Sequence, residues 1–341
     1  MNNNYDTINQ NIKEFRMLVE TSLSLKLDGL SSQTNELGLG KYNARITSEN
    51  KKLKETMYRY DNSNCLIHFT KLNNLLSIIN ECSFRLYNLH NSNDPEEYIY
   101  SSTKLSEIYE LQGFNSERIK SENEYVKENS YILSSTDTNS LNDKVFWEKY
   151  ADDGKGVAIE IEILNNYDDW NYFYCSKVQY DSLSNFDRLI NEWKKIHNKY
   201  PTNQYNISLN QLLSLNKSKK WDIEKEIRIL TLLPDFYSYP FKKRLFEYLV
   251  YSDFNSKYMK PTKYFKLPLC NENGIFIDNN VPDKCEEFWN IIPRIKLRKI
   301  HFGPNFIFKG SLNKYCDDLK FYIKEKMNGF RCEIPDYVVN V

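Results

Sequence analysis

"CLIHFTKLNNLLSIINECSFRLYNL", residues 65–89, is the stretch on which the fold reading turns. Its first six residues form a short apolar run that predicts a strand. Leu72, Leu75, Leu76 and Ile79 then recur at spacings of three and four, which predicts an amphipathic helix. In "SFRLYNL", Phe84 and Leu86 alternate with Arg85 and Tyr87, the two-residue period of a second strand. Working outward, "YILSST" (131–136), "GVAIEIEIL" (156–164), a segment over 221–232, "RKIHFGP" (298–304) and a closing "RCEIPDYVV" (331–339) predict further strands. Helical patterns lie between them at 97–128, 185–217 and 311–327. Short strands separated by helices of unequal length predict an α+β fold.

Before this domain, Ile8, Ile12, Phe15, Leu18 and Val19 mark an amphipathic helix, followed by the loop-like "DGLSSQTNELGLGKYN" (28–43). Residues 1–57 are therefore expected to form an N-terminal helical extension on a main domain spanning 58–341. The helix offers a packing surface for a partner protein or a homo-oligomer.

Lys+Arg and Asp+Glu balance at 46 each, which removes any overall electrostatic case for nucleic acid or an anionic membrane. Aromatics reach 15%, with 26 Tyr, an abundance that belongs to folded chains. Seven scattered cysteines without a C-x-x-C pair, and four histidines without ligand spacing, point to a reduced, cytoplasmic protein with no metal. No apolar run of about 18 residues is present, so no membrane contact is expected. The glycine fingerprints of dinucleotide and P-loop sites, and the hydrolase elbow, are missing.

Polar residues lodged in apolar contexts remain as candidates. His68 sits between Ile67 and Phe69, with Thr70 on the same strand face; a lone histidine there is ordinarily a satisfied boundary residue. Asn93 and Asp94 precede Pro95 in good turn and helix-start chemistry. Trp147 and Tyr150 are three apart, as on one side of a helical turn, with Trp147 the expected core residue. In "WDIEKEIRIL" (221–230), Glu224, Glu226 and Arg228 would share one strand face, with Ile223, Ile227 and Ile229 on the other. That charged face either meets water or holds two carboxylates at a cleft beside a cation, an arrangement that splits carboxylate pKa values.

"LIHFTKLNNLLSIINECSFRLYNLHNSNDPEE", "ILSST", "FWEKYADDGKGVAIEI", "KKWDIEKEIRIL" and "KIHFGP" occur in that order. Together, over residues 60–310, they resemble the bacterial family named domain of unknown function 2971. More weakly, a His-x-Thr strand, a helix, a Ser-containing strand and a later Glu-x-Glu strand resemble the ADP-ribosyltransferase fold of the His-Tyr-Glu class. That resemblance implies a split mixed sheet with flanking helices. It also implies an enzyme that takes NAD as substrate and either cleaves it or transfers ADP-ribose to an unidentified protein or nucleic-acid acceptor. A bacterial toxin or phage-defence (antiviral) effector is the implied setting.

By the same resemblance, His68 and Thr70 would hold the adenosine-side ribose. Ser134 or Ser135 would line the nicotinamide side, with Tyr150 or Tyr87 stacked on that ring. Asn93, Asp94 and Arg228 would complete the ligand site. Glu226 would be the catalytic carboxylate, and Glu224 would orient or deprotonate the acceptor. The alternative is a non-catalytic nucleotide-binding sensor or interaction module in a defence system.

Overall fold

The strand–helix–strand is present as β3 (Cys65–Thr70), α2 (Leu72–Glu81) and β4 (Ser83–Asn88) in a computed structural model of the chain. The structure describes residues 2–34, 40–47, 49–53, 56–89, 95–180, 183–199, 203–209, 212, 214–232, 250–255, 260–278, 292–308 and 310–339. Leu75, Ile78 and Ile79 bury one face of α2. The helix stops at Cys82, whose left-handed backbone turns the N–H back to the carbonyls of Ile78 and Ile79. Ahead of this unit lie α1 (Asn2–Ser22), β1 (Leu27–Thr34) and β2 (Gly40–Ile46). After it come α3 (Pro95–Leu111), α4 (Ser116–Asn129), β5 (Ser130–Ser135), α5 (Lys144–Tyr150), β6 (Val157–Ile163), β7 (Phe173–Lys177), β8 (Gln179–Tyr180) and α6 (Leu183–Lys199). The chain continues through β9 (Gln204–Ser208), β10 (Asn216–Lys217), β11 (Ile227–Leu232), β12 (Val250–Asn255), β13 (Lys260–Pro268), β14 (Ile295–Phe302) and α7 (Leu312–Lys326). The fold is α+β, as the sequence pattern predicts.

An antiparallel six-stranded sheet runs β12-β13-β4-β5-β11-β7, and a three-stranded antiparallel sheet runs β14-β6-β3. Between them lies a core that includes Leu66, Ile79, Phe84, Leu133, Ile159, Ile229 and Phe265, closed at one side by Leu319 and Ile323 of α7. The opposite face of the large sheet, through Tyr174 and Leu230, packs on a second core shared with α1, α3, α4, α6 and β9. β11 is thereby buried along its whole length, as expected of a strand covered on both faces.

The N-terminal residues hold two strands as well as a helix. β1 pairs with β2, and β2 pairs in parallel with β9, far along the chain. The described parts of the 28–43 stretch, 28–34 and 40–43, are thus strand rather than loop, because tertiary pairing overrides their turn-like composition. Phe15 of α1 stacks on Tyr205 at 4.0 Å and meets Trp193 edge-on at 4.7 Å. The apolar face of α1 is therefore occupied within the chain.

Three other expectations are corrected. The helix expected over 185–217 ends at Lys199, and β9 and β10 follow. The closing segment is not a strand but meets β14 through single parallel bridges at Glu333 and Val338. Over 221–232 only Ile227–Leu232 is strand; Lys219–Glu224 is a 3-10 turn and Lys225 is left-handed at φ 42°. Ile223 consequently leaves the apolar face and is 38% exposed.

The "DDGKG" turn fixes α5 against β3. Gly156 donates its N–H to the Ala151 carbonyl at 2.8 Å, and a Cβ there would lie 2.4 Å from the Thr70 carbonyl oxygen. Backbone cannot yield as a flexible side chain can. Gly156→Ala is expected to lower thermal stability by more than ~1 kcal/mol, measured as a reduced melting temperature. An unchanged melting temperature would contradict the close approach.

Candidate functional site

The two sheets part at β5. Its early residues Tyr131 and Ile132 pair with Asn88 and Tyr87 of β4, but at its end Thr136 bridges Ile67 of β3 instead. That bridge is a reciprocal pair of backbone hydrogen bonds, 2.8 and 2.9 Å. Between the diverging strands opens a cleft of about 890 Å3, within the range of roughly 300–1,000 Å3 usual for small-molecule sites.

His68, Thr70, Ser134, Ser135, Tyr150, Glu224, Glu226 and Arg228 all line this one cleft. Residues named from distant parts of the sequence are therefore brought together by the strand split. Tyr87 also lines it, while Trp147 is fully buried and donates its indole N–H to the Leu141 carbonyl. Asn93 and Asp94 lie outside the described residues. The six described cysteines are free, and no helix among the described residues is long and apolar enough to cross a membrane.

His68 approaches the Ser134 carbonyl through Nδ1 at 2.8 Å. A carbonyl oxygen only accepts, so Nδ1 carries the proton. Burial lowers the imidazole pKa, against the Ser134 hydrogen bond, and the neutral ring is left with Nε2 as an acceptor. Thr70 Oγ1 accepts from Asn74 Nδ2 at 2.9 Å and so ties the strand end to α2. Ser135 donates to the Ile227 carbonyl, whereas Ser134 is the exposed one of the pair. Of the two serine side chains, that of Ser134 is the one open to the cleft.

The charged residues take the second of the two expected forms, carboxylates at a cleft beside Arg228, and widen it into a network. Arg228 grips Glu226 in a fork, Nε to Oε1 at 2.8 Å and Nη2 to Oε2 at 2.9 Å. Lys217 Nζ lies 2.7 Å from Glu226 Oε2 and 2.8 Å from Glu224 Oε2. Tyr150 donates its hydroxyl to Glu224 Oε1. Glu226 and Arg228 are 5% and 1% exposed, so this face meets neither bulk water nor a simple surface ion pair. Burial pushes the Glu226 carboxyl up, but Arg228 and Lys217 outweigh it and hold it well below the usual carboxylate range. Burial first, then the hydrogen bond to Glu224, raises the Tyr150 phenol, which stays neutral and donating.

Lys217 is the member of the cleft network that sequence reasoning missed. In "SLNKSKKWD" it looks like any surface lysine; only the pairing of β10 with β8, which sets Lys217 opposite Tyr180, draws it inward. Among the described residues, five cationic side chains (Lys71, Arg85, Lys149, Lys217 and Arg228) and three carboxylates (Glu81, Glu224 and Glu226) line the cleft, with Lys71 also paired to Asp152 at 3.4 Å.

Residues 146–229 match the model of the family described as "Protein of unknown function (DUF2971)", the family that the sequence resembles. The match contains the carboxylate wall of the cleft, from Tyr150 to Arg228, and leaves His68 and Thr70 outside. No curated protein and no solved structure matches the chain.

Glu226→Ala would strand Arg228 in the interior, and removing one partner of a buried pair costs about 3–5 kcal/mol. Urea denaturation at pH 7 should show a loss of that order, and a smaller loss for the double variant Glu226→Met/Arg228→Met. The depressed folded-state carboxyl also fixes the pH dependence. Its stabilisation is complete above the ordinary value of 4.5 and disappears as pH falls toward the folded-state value. Wild type should therefore lose more stability than Glu226→Gln below pH 4.5; parallel losses would contradict the ion-pair assignment.

Proposed function

We propose that the cleft binds NAD and that the chain is an ADP-ribosyl-transferring or NAD-cleaving enzyme built on an ADP-ribosyltransferase-like split sheet. The observation that carries this reading is the convergence of His68 of β3, Ser134 of β5 and the Glu224–Glu226 segment before β11 on one cleft lined by cations. Cationic side chains suit the pyrophosphate of a dinucleotide.

In this reaction the bond between the nicotinamide nitrogen and the ribose anomeric carbon breaks, and its electron pair leaves with nicotinamide. Positive charge develops at the anomeric carbon until the acceptor, or water, adds and releases a proton. A fixed carboxylate in a water-poor site stabilises that charge. Of the two glutamates, Glu224 is the better placed. Its side chain is 12% exposed and each oxygen has one partner, whereas Glu226, at 5%, is locked by Arg228 and Lys217. The catalytic role expected for Glu226 thus passes to Glu224, and Glu226 becomes a positioning residue through Lys217. The neutral His68, through Nε2, accepts from a ribose hydroxyl. Ser134 and the Tyr150 ring line the nicotinamide side.

The near-complete pairing of both carboxylates favours one second reading, a nucleotide-binding module without turnover. Nicotinamide release from NAD, with and without cell lysate as a source of acceptors, separates the two. The enzyme reading predicts release by wild type and a loss of about 100-fold or more in Glu224→Gln. Saturable NAD binding that His68→Ala abolishes, with no nicotinamide on long incubation, would establish the binding module instead. Release unaffected by Glu224→Gln would overturn the mechanism.

A further inference from the structure

The cleft face of the six-stranded sheet continues to the sheet edge at β12, and there it carries a row of rings. Phe84, Leu86 and Phe265 pack in the core, so alternation turns Arg85 and Tyr87 of β4, and Tyr264 and Lys266 of β13, to the other face. Tyr87 stands directly opposite Tyr264, and Tyr264 directly opposite Tyr251 of β12. Tyr251 and Tyr264 stack at 5.7 Å with their planes 20° apart, and Tyr87 meets Tyr264 at 5.9 Å. Cross-strand aromatic pairs stabilise a sheet modestly, which accounts for the buried middle ring. It does not account for the two outer ones, Tyr87 and Tyr251, which are each 41% exposed.

Cations are laid on this row. The Arg85 guanidinium lies 4.3 Å from the centre of the Tyr264 ring, and the Lys266 ammonium 4.5 Å from that of Tyr251. Arg85 and Lys266 are cross-strand neighbours, and both meet Glu81, from Arg85 Nε at 3.1 Å and Lys266 Nζ at 3.5 Å. Among the described side chains of the patch, two cations thus face one carboxylate. None of the ring or cation side chains is aliphatic, so a protein partner would find little of the apolar core that interfaces bury. Unstacked nucleobases present π-faces to tyrosine, and phosphates present anionic acceptors to Arg and Lys. In a duplex those base faces are hidden. Arg85 and Tyr87 also line the cleft, so the row opens directly into it.

We propose that Tyr87, Tyr264 and Tyr251, with Arg85 and Lys266, form a docking platform for single-stranded nucleic acid beside the cleft. The platform rests on the reading of the cleft as an NAD site and deepens it, by naming single-stranded nucleic acid as the acceptor. Bases stack on the exposed outer rings, phosphates meet the two cations, and a splayed nucleotide enters the cleft past Tyr87. There a nucleophilic nitrogen or oxygen of the nucleotide bonds to the anomeric carbon as nicotinamide leaves with its electron pair, and the nucleophile's proton passes to water.

The test is fluorescence anisotropy of the full-length protein with dye-labelled single-stranded RNA and DNA of about ten nucleotides, and with the matching duplex and labelled heparin as controls. Tyr87→Leu and Tyr251→Leu keep an apolar side chain and remove the ring. Both rings are exposed, so the variants should fold; circular dichroism checks this. The platform predicts that each variant binds the single strand about tenfold more weakly. Heparin binding stays unchanged, and wild type binds the duplex more weakly than the single strand. Tyr251 does not line the cleft, so Tyr251→Leu should keep wild-type affinity for NAD in a parallel calorimetric titration. No single-strand binding by wild type at low salt would overturn the platform and leave the NAD reading standing with a protein acceptor. Equal single-strand affinity of wild type and both variants would also overturn it, as charge-driven attachment elsewhere. Weakened heparin or NAD binding by Tyr251→Leu would overturn it as a general disturbance. Single-strand binding that depends on both tyrosines, in a protein that neither binds nor cleaves NAD, would support the platform and reject the NAD reading.

Discussion

One ammonium group holds two carboxylates in the interior of this protein, and much of the surrounding chain is arranged to permit it. Lys217 reaches Glu224 and Glu226 together, and Arg228 takes the remaining charge of Glu226 in a forked pair. Buried charges persist only when paired and hydrogen-bonded, and the neighbours supply what is left. The Ser214 carbonyl accepts from Arg228, and the Tyr180 hydroxyl accepts the Glu226 backbone N–H at 3.0 Å. Tyr150 meets the outer oxygen of Glu224. The left-handed Lys225 lets the chain carry two glutamates to the same lysine before entering β11.

The second constraint is topological. β5 serves both sheets, pairing with β4 at its start, with β11 along its length and with β3 through a single bridge at its end. Strands that separate expose polar backbone unless something fills the gap, and His68 closes part of it by donating to the Ser134 carbonyl. The resulting opening lies where the charged network comes to the surface of the core. Position and chemistry of the site therefore share one origin in the branching of β5.

Much of the fold was legible from periodicity. β3, α2, β4 and β6 carry local patterns that agree with their tertiary surroundings, so propensity and packing point the same way. Where they disagree, reading failed. "DGLSSQTNELGLGKYN" has turn composition, but its described ends pair with each other as β1 and β2, and β2 pairs in parallel with the distant β9. "WDIEKE" alternates like a strand but is bent into a 3-10 turn, because satisfying two buried glutamates outweighs extending the ladder. His68, Tyr150 and Glu224 were visible in the residue pattern and Ser134 only through the family resemblance, and all four line one cleft. Their division of labour was not visible. Which glutamate is locked, and by which lysine, depends on β10 being drawn against β8, a contact with no local signature in "SLNKSKK".

The most direct measurement is a crystal structure of the full-length protein with a non-hydrolysable NAD analogue. The dinucleotide is expected in the cleft at the β5 branch, with a ribose hydroxyl on His68 and the anomeric carbon facing Glu224. A dinucleotide bound elsewhere, or a cleft left empty by a saturating analogue, would contradict the assignment of this cleft as a nucleotide site.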